Sequence, residues 1–265
     1  MKPVFVEGVG LLGPGLPGWA AARACLRGTA DFLPGEVVLP QVALLPPAER
    51  RRTGAAVRLA VAVGLEALAE AGQDAAAMAT VFTSSGGDGD TIDAILTVLA
   101  GPQREISPTR FHNSVHNAPS GYWALACAAT APSTSLCGFD GSFAVGLLDA
   151  AAQCLADRRP VTVISYDLPY PAPLDAIRPI QAIFGVALVL TPEPGPRSLA
   201  SLSMRLCQGN ASGTMLADPG LEALRRANPA ARGLPLLAAI AGGGGTVGIE
   251  GIAGAVVEVE IEMPA

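Results

Sequence analysis

Short β-branched, apolar runs alternating with longer stretches of helical periodicity constrain this chain most, because they fit an α/β sheet covered by helices. The runs are VFVEGVG (4–10), ATVFTSS (79–85), STSLC (133–137), PVTVISYD (160–167) and GVALVLT (185–191). Between them lie WAAARACLRG, a helix over Arg52–Ala71 that places Val57, Val61, Leu65 and Leu68 on one stripe, TIDAILTVLA, YWALACAA, and a helix over Phe143–Leu155. Gly72 stops the second helix, as a glycine just past a C-terminus does. ATVFTSS reads as a strand buried on both faces, and the alternation predicts a mainly parallel sheet with helices on both sides. After SLASLSMRL the pattern loosens into a short helix GLEALRRA, an apolar strand LPLLAAI, a glycine run and a final alternating strand AVVEVEIEM. With no internal repeat and no linker, residues 1–265 read as one domain.

Half of the 265 residues are apolar, enough for a sizeable core. Seventeen Lys and Arg against 23 Asp and Glu give a net charge of −6, and the basic residues cluster only at Glu49–Arg52, ERRR. Nucleic acid and anionic membrane are therefore excluded as ligands. Cys25, Cys127, Cys137, Cys154 and Cys207 are odd in number and scattered, without a CxxC pair, and the opening MKPVFVEGVG reads as a strand. Free thiols in a reducing cytoplasm are expected. Gly233–Ile249 is uncharged but too short and glycine-rich for a membrane span.

Chemistry can live at few places. His112 and His116 are the only histidines, and Pro119, Gly121 and the neighbouring asparagines argue for a loop. Their i,i+4 spacing lacks the Glu of a zinc-protease helix, so a structural or interface role outweighs metal ligation. SSGGDGD (84–90) and GGGG (242–245) match neither a dinucleotide fingerprint nor a P-loop, and read as tight turns. Cys137 is the serious candidate. It closes a strand just before a helix, where unpaired N–H groups and the helix dipole stabilise a thiolate. The competing reading is a small apolar residue at a strand end.

The order of these features resembles the N-terminal half of the β-ketoacyl synthases of fatty-acid and polyketide synthesis, which have the thiolase fold. The resemblance runs from VFVEGVGLLGPG, through Trp19, Leu26 and Gly28, to RRRTGAAVRLAVAVGLEALAEAG, VFTSSGGDGD and ISPTRFHNSVHNAPSGYWALA, over about residues 1–205. It implies an α/β thiolase-like fold whose N-terminal half is well represented, with a strongly reduced C-terminal part over 206–265. Active members carry an A-C-x-x-G turn followed by a second glycine. Setting Gly141 and Gly146 on those glycines places Gly138, not the adjacent Cys137, at the nucleophile position. Neighbouring strand residues face opposite ways, so a cysteine one position early aims its sulfur elsewhere. The family's condensation also uses two histidines from its C-terminal half, and no histidine follows His116.

What remains resembles the chain-length-factor class, in particular the abbreviated members that accompany aryl-polyene and other highly reducing type II polyketide synthases. That resemblance implies a subunit with no catalytic residue, cofactor or metal of its own, paired with a ketosynthase and meeting the acidic acyl carrier protein only indirectly. It makes the strand Ser133, Thr134, Ser135 and Leu136 the dimer seam, with His112, His116 and Asn117 beside it. Thr91, Ile92, Ile95 and Leu99 become the floor of the acyl tunnel, and Phe111 a residue that reaches into the partner's pocket. Two other readings stay open: an acyltransferase or thioesterase using Cys137, and a structural homodimer.

Overall fold

The computed structural model describes residues 2–102, 104–208 and 212–264. Along the chain run β1 (Val4–Leu12), α1 (Trp19–Leu26), α2 (Pro47–Arg50), α3 (Ala55–Ala71), β2 (Ala79–Thr83), α4 (Gly89–Ala100), α5 (Pro108–Asn113), α6 (Ala118–Cys127) and β3 (Ser133–Leu136). There follow α7 (Ser142–Asp157), β4 (Val161–Asp167), α8 (Leu174–Ile177), β5 (Phe184–Thr191), β6 (Ala200–Cys207), α9 (Pro219–Ala227), α10 (Leu234–Gly242), β7 (Gly245–Glu250) and β8 (Val256–Glu262). The strands form one eight-stranded sheet in the order β3-β2-β4-β5-β1-β6-β8-β7.

Only β3, β2 and β4 are mutually parallel, and every other pairing is antiparallel, which corrects the expected mainly parallel sheet. The reason lies in the connections. A parallel return needs a crossover, usually a full helix. The link from β4 to β5, residues 168–183, carries only the one-turn α8, so β5 comes back alongside β4. The central strands β2, β4 and β5 are nevertheless buried along their whole length, including the polar Thr80, Thr162, Ser165 and Asp167.

Each face of the sheet carries its own core. One is built on α3 and α6, with Leu59, Val63, Leu68 and Trp123 against Phe82 and Ile164. The other is built on α7 and α10, with Phe143, Leu147, Leu236 and Leu237 against Val163, Leu188 and Val257. Strand β1 turns its apolar side chains to the α7 and α10 core through a bulge. Its register slips between Val6 and Gly8, and the extra residue keeps Val9 and Leu11 on the same face as Val4 and Val6. On the opposite face Gly8 and Gly10 lie so close to α3 that a Cβ on either would overlap the carbonyls of Ala67 and Val63. Where β6 leaves β1, α3 supplies the missing acceptors. Glu70 Oε2 accepts from Val9 N at 2.8 Å, and Glu66 accepts from Leu11 N at 2.8 Å and Trp19 N at 2.6 Å.

The C-terminal quarter departs from expectation at two elements, α10 and β7. LPLLAAI is helix α10, not a strand: Pro235 sits in its first turn, its alanines favour helix, and Gly243 closes it in the left-handed region at φ 107°. The glycine run then feeds β7, which pairs with the alternating strand β8. The helix expected from Arg52 starts at Ala55, after Gly54. That expected from Phe143–Leu155 runs Ser142–Asp157. No described helix is long and apolar enough to cross a membrane.

Candidate functional site

Strand β3 delivers the chain into a sharp turn. Cys137 is exposed, Gly138 is buried, and Phe139 takes a left-handed φ of 50°, a conformation that costs a bulky residue of the order of 1 kcal/mol or more. One 3-10 turn, Phe139–Gly141, then leads into α7. Ser142, fully buried, staples the turn: its hydroxyl accepts from Gly138 N at 3.0 Å and donates to Phe139 O at 2.7 Å.

The space in front of Gly138 is filled. A Cβ there would lie 3.0 Å from Val145 Cγ2 and 3.3 Å from Ile252 Cδ1. At Gly141 a Cβ would come within 2.5 Å of the Gly251 backbone. The connection between β7 and β8 thus lies over the turn, with Ile252, itself half exposed, against Gly138. Cys137 faces elsewhere, and its Sγ–H donates to Ser85 O at 3.4 Å.

The Ser84–Asp88 loop that receives Cys137 is fastened from beneath by Asp167 at the end of β4. Asp167 accepts from Ser84 Oγ (3.1 Å), Ser85 N (2.9 Å) and Ser85 Oγ (2.7 Å). Complete burial pushes its carboxyl up to about 6, against the pull of those serine hydrogen bonds. The loop's glycines serve packing: a Cβ on Gly86 or Gly89 would overlap the Tyr170 ring. Asp88 caps α4, accepting from Thr91 N at 3.0 Å. His116 Nε2 lies 3.1 Å from Ser84 O, so Cys137 and His116 meet neighbouring carbonyls. No hydrogen bond joins the two side chains among the described residues. Cys127 and Cys154 are no alternative nucleophiles, since burial holds both thiols up at about 11.

The other residues singled out in the sequence fall into two places. Helix α4 is apolar yet buries only Gly89: Thr91, Ile92 and Ile95 are half-buried, and Leu99 is exposed. Ile92 lines a depression of about 310 Å³ with Tyr170, Leu174 and Ile177. Phe111, 67% exposed, lines a separate groove of about 580 Å³ with His112, Val115, Asn117, Tyr122 and Leu125. Thr91, Ile95 and Leu99 line neither cavity. His112 stands edge-on to Tyr122, whereas His116 turns inward to the Ser84 loop. Ser133, Thr134, Ser135 and Leu136 pair with β2 on one side only, and β3 ends the sheet. Among the described residues no three His, Cys, Asp or Glu converge as a metal cluster. Ser142, Asp167 and Ile252 carry the geometry of the turn without any sequence motif that marks them.

The chain is similar to known folds along its whole length. It resembles the ketosynthase ApeO in complex with its chain length factor ApeC from Xenorhabdus doucetiae, at 23% identity, covering 98% of this chain and 100% of that chain, with a TM-score of 0.74. It resembles the ishigamide ketosynthase/chain length factor at 14% identity, with full coverage of both chains and a TM-score of 0.73. A β-ketoacyl synthase from Burkholderia phymatum STM815 matches at 15% identity over 87% of this chain and 71% of that one, with a TM-score of 0.61. No match is found among curated proteins. The mixed α/β architecture is thiolase-like, and the β-ketoacyl synthase N-terminal domain matches residues 19–238, so the chain belongs to that family.

Proposed function

We propose that this chain is a non-catalytic chain-length-factor subunit, one that pairs with an active ketosynthase and shapes the acyl tunnel at their shared interface. The carrying observation is the open edge of β3 beside an exposed apolar groove containing Phe111, Val115 and Leu125. An unpaired strand edge flanked by bare apolar side chains calls for a protein cover. Gly138, where a Cβ would crowd Val145 and Ile252, supports the reading of a turn without a nucleophile. Solved relatives of this fold include complexes of a ketosynthase with its chain length factor and an acyl-carrier protein in complex with its ketosynthase.

On this reading α4 and Phe111 face the tunnel, and the ketosynthase carries the carrier-protein contacts. Residues 206–265 are the second thiolase half reduced to strands and helices that extend the first sheet. The products belong to the aryl-polyene or related reduced polyketide class. Co-expression with the ketosynthase encoded nearest to it, followed by size-exclusion chromatography, tests the pairing. A 1:1 complex is expected. A stable homodimer that ignores the ketosynthase would sink the proposal, and selective iodoacetamide or acyl labelling of Cys137 would favour an acyltransferase.

A further inference from the structure

An unbroken row of ion pairs crosses from the strand-to-helix turn to the C-terminal quarter. Arg178, from the β4–β5 link, donates Nη2 to Asp140 Oδ1 at 2.8 Å, and Arg232 donates Nη2 to Asp140 Oδ2 at 3.3 Å. Arg232 Nε lies 4.0 Å from Glu250 Oε2, the atom that also accepts from Arg225 Nη1 at 2.6 Å. Arg225 in turn gives Nε and Nη2 to the two oxygens of Glu222, each at 2.8 Å. Asp140 belongs to the turn, Arg232 to a short 3-10 helix, Ala230–Gly233, Glu250 to the end of β7, and Arg225 and Glu222 to α9.

The two ends of the row differ in what can undo them. At the α9 end the Arg225 and Glu222 side chains are 6% and 10% exposed, and the hydrogen bonds from Arg225 hold the Glu222 carboxyl down at about 2. Salt screens such a buried pair little, and a carboxylate this low stays ionised through mild acid. At the turn end Asp140 is 40% exposed, so its two pairs stand where added salt weakens them.

The residue beside this open end is the strained one. Phe139 holds its left-handed φ of 50°, a conformation that persists only where the surroundings enforce it. Its side chain is exposed, so apolar burial does little to hold it there. The Arg178 guanidinium, fixed by Asp140, covers the Phe139 ring at 3.6 Å from its centroid. Phe139 is thus stacked on one side, while its chain neighbour Asp140 is bridged to two separate segments.

We propose that Asp140, Arg178 and Arg232 form a salt-sensitive clamp on the turn, anchored through Glu250 on the buried Arg225–Glu222 pair. Releasing the clamp lets Phe139 relax out of the left-handed region while the rest of the fold stays intact. The clamp lies wholly within this chain and does not rest on the chain-length role.

Hydrogen exchange followed by NMR on the purified full chain, at one pH and at about 0.05 M and about 1 M sodium chloride, tests it. The reporters are the Gly138 N–H, held by Ser142 Oγ, and the Gly141 N–H, held by Gly138 O. Both are expected to exchange about two- to fivefold faster at high salt, while amides of α3 keep their rates. Asp140→Asn should show the fast rate at both salt concentrations. Arg226→Gln, which removes an exposed partner of Glu222 outside the clamp, should leave the salt response whole. No salt response at the turn, an equal response in α3, or an Asp140→Asn variant that keeps the response overturns the proposal. The response of the parent chain needs no substitution, so the test stays decisive should Asp140→Asn fail to fold.

Discussion

At Gly138 the surroundings of the backbone decide what a side chain would do. Introducing a thiol by Gly138→Cys drives a side chain against Val145 and Ile252. We expect it to lower stability in urea by about 1–3 kcal/mol, the usual range for overpacking, and to leave condensation activity absent. Pairing it with Ile252→Ala should recover much of the loss, because the two residues compete for one space. Asp167 makes a pH prediction. Its carboxyl sits at about 6 when folded and near 3.8 when unfolded, so the folded state holds the proton more tightly. Stability therefore falls as pH rises through that window, and full ionisation costs about 3 kcal/mol at neutral pH. Asp167→Asn should be at least as stable as the parent at pH 8 and should gain less on going to pH 5.5, read from urea midpoints. Little of this was legible beforehand. Cys137 and the spacing of Gly141 and Gly146 stand out in the sequence, but the Ile252 contact on Gly138 comes from more than a hundred residues away and no local pattern announces it. Asp167 was visible only as the end of a strand, because its burial depends on a serine loop from a different strand.

Among the elements, α3 against β1 is the tightest fit, since Gly8 and Gly10 let helix and strand backbones approach directly. Gly10→Val should destabilise the chain by at least about 1–3 kcal/mol in chemical denaturation, with no side chain able to move aside. Helix α4 is the opposite case, apolar and barely buried. If it floors an acyl tunnel in the assembled complex, Ile95→Ala should lengthen the products and Ile95→Phe shorten them by mass spectrometry. Unchanged distributions for both would remove Ile95 from the floor. The helices and central strands followed directly from periodicity, as α3, α7, β2 and β4 illustrate. LPLLAAI misled because a short apolar run has no period of its own, and Pro235 with Gly243, which mark a helix start and stop, decide it.

For the molecule as a whole, strand direction was the least readable property. The alternation of strand and helix implied parallel neighbours, but direction depends on what lies between strands, and the β4–β5 link holds a single helical turn. The surface is more telling than the topology. Phe111→Asp places a charge in the exposed groove and should leave the isolated chain's melting temperature nearly unchanged, since the side chain packs against little. The same substitution should abolish co-elution with a ketosynthase partner, and a variant that still co-elutes would move the interface elsewhere.

The open edge of β3 has a consequence for the life of the protein in a cell. A strand with free N–H and C=O groups beside bare phenylalanine and leucine is a template for aggregation and a target for quality control. If a partner closes that edge as proposed, chains made in excess of it face chaperones and proteases. On that reading the amount that persists is expected to follow the supply of the partner, which pulse-chase with and without the co-expressed ketosynthase measures.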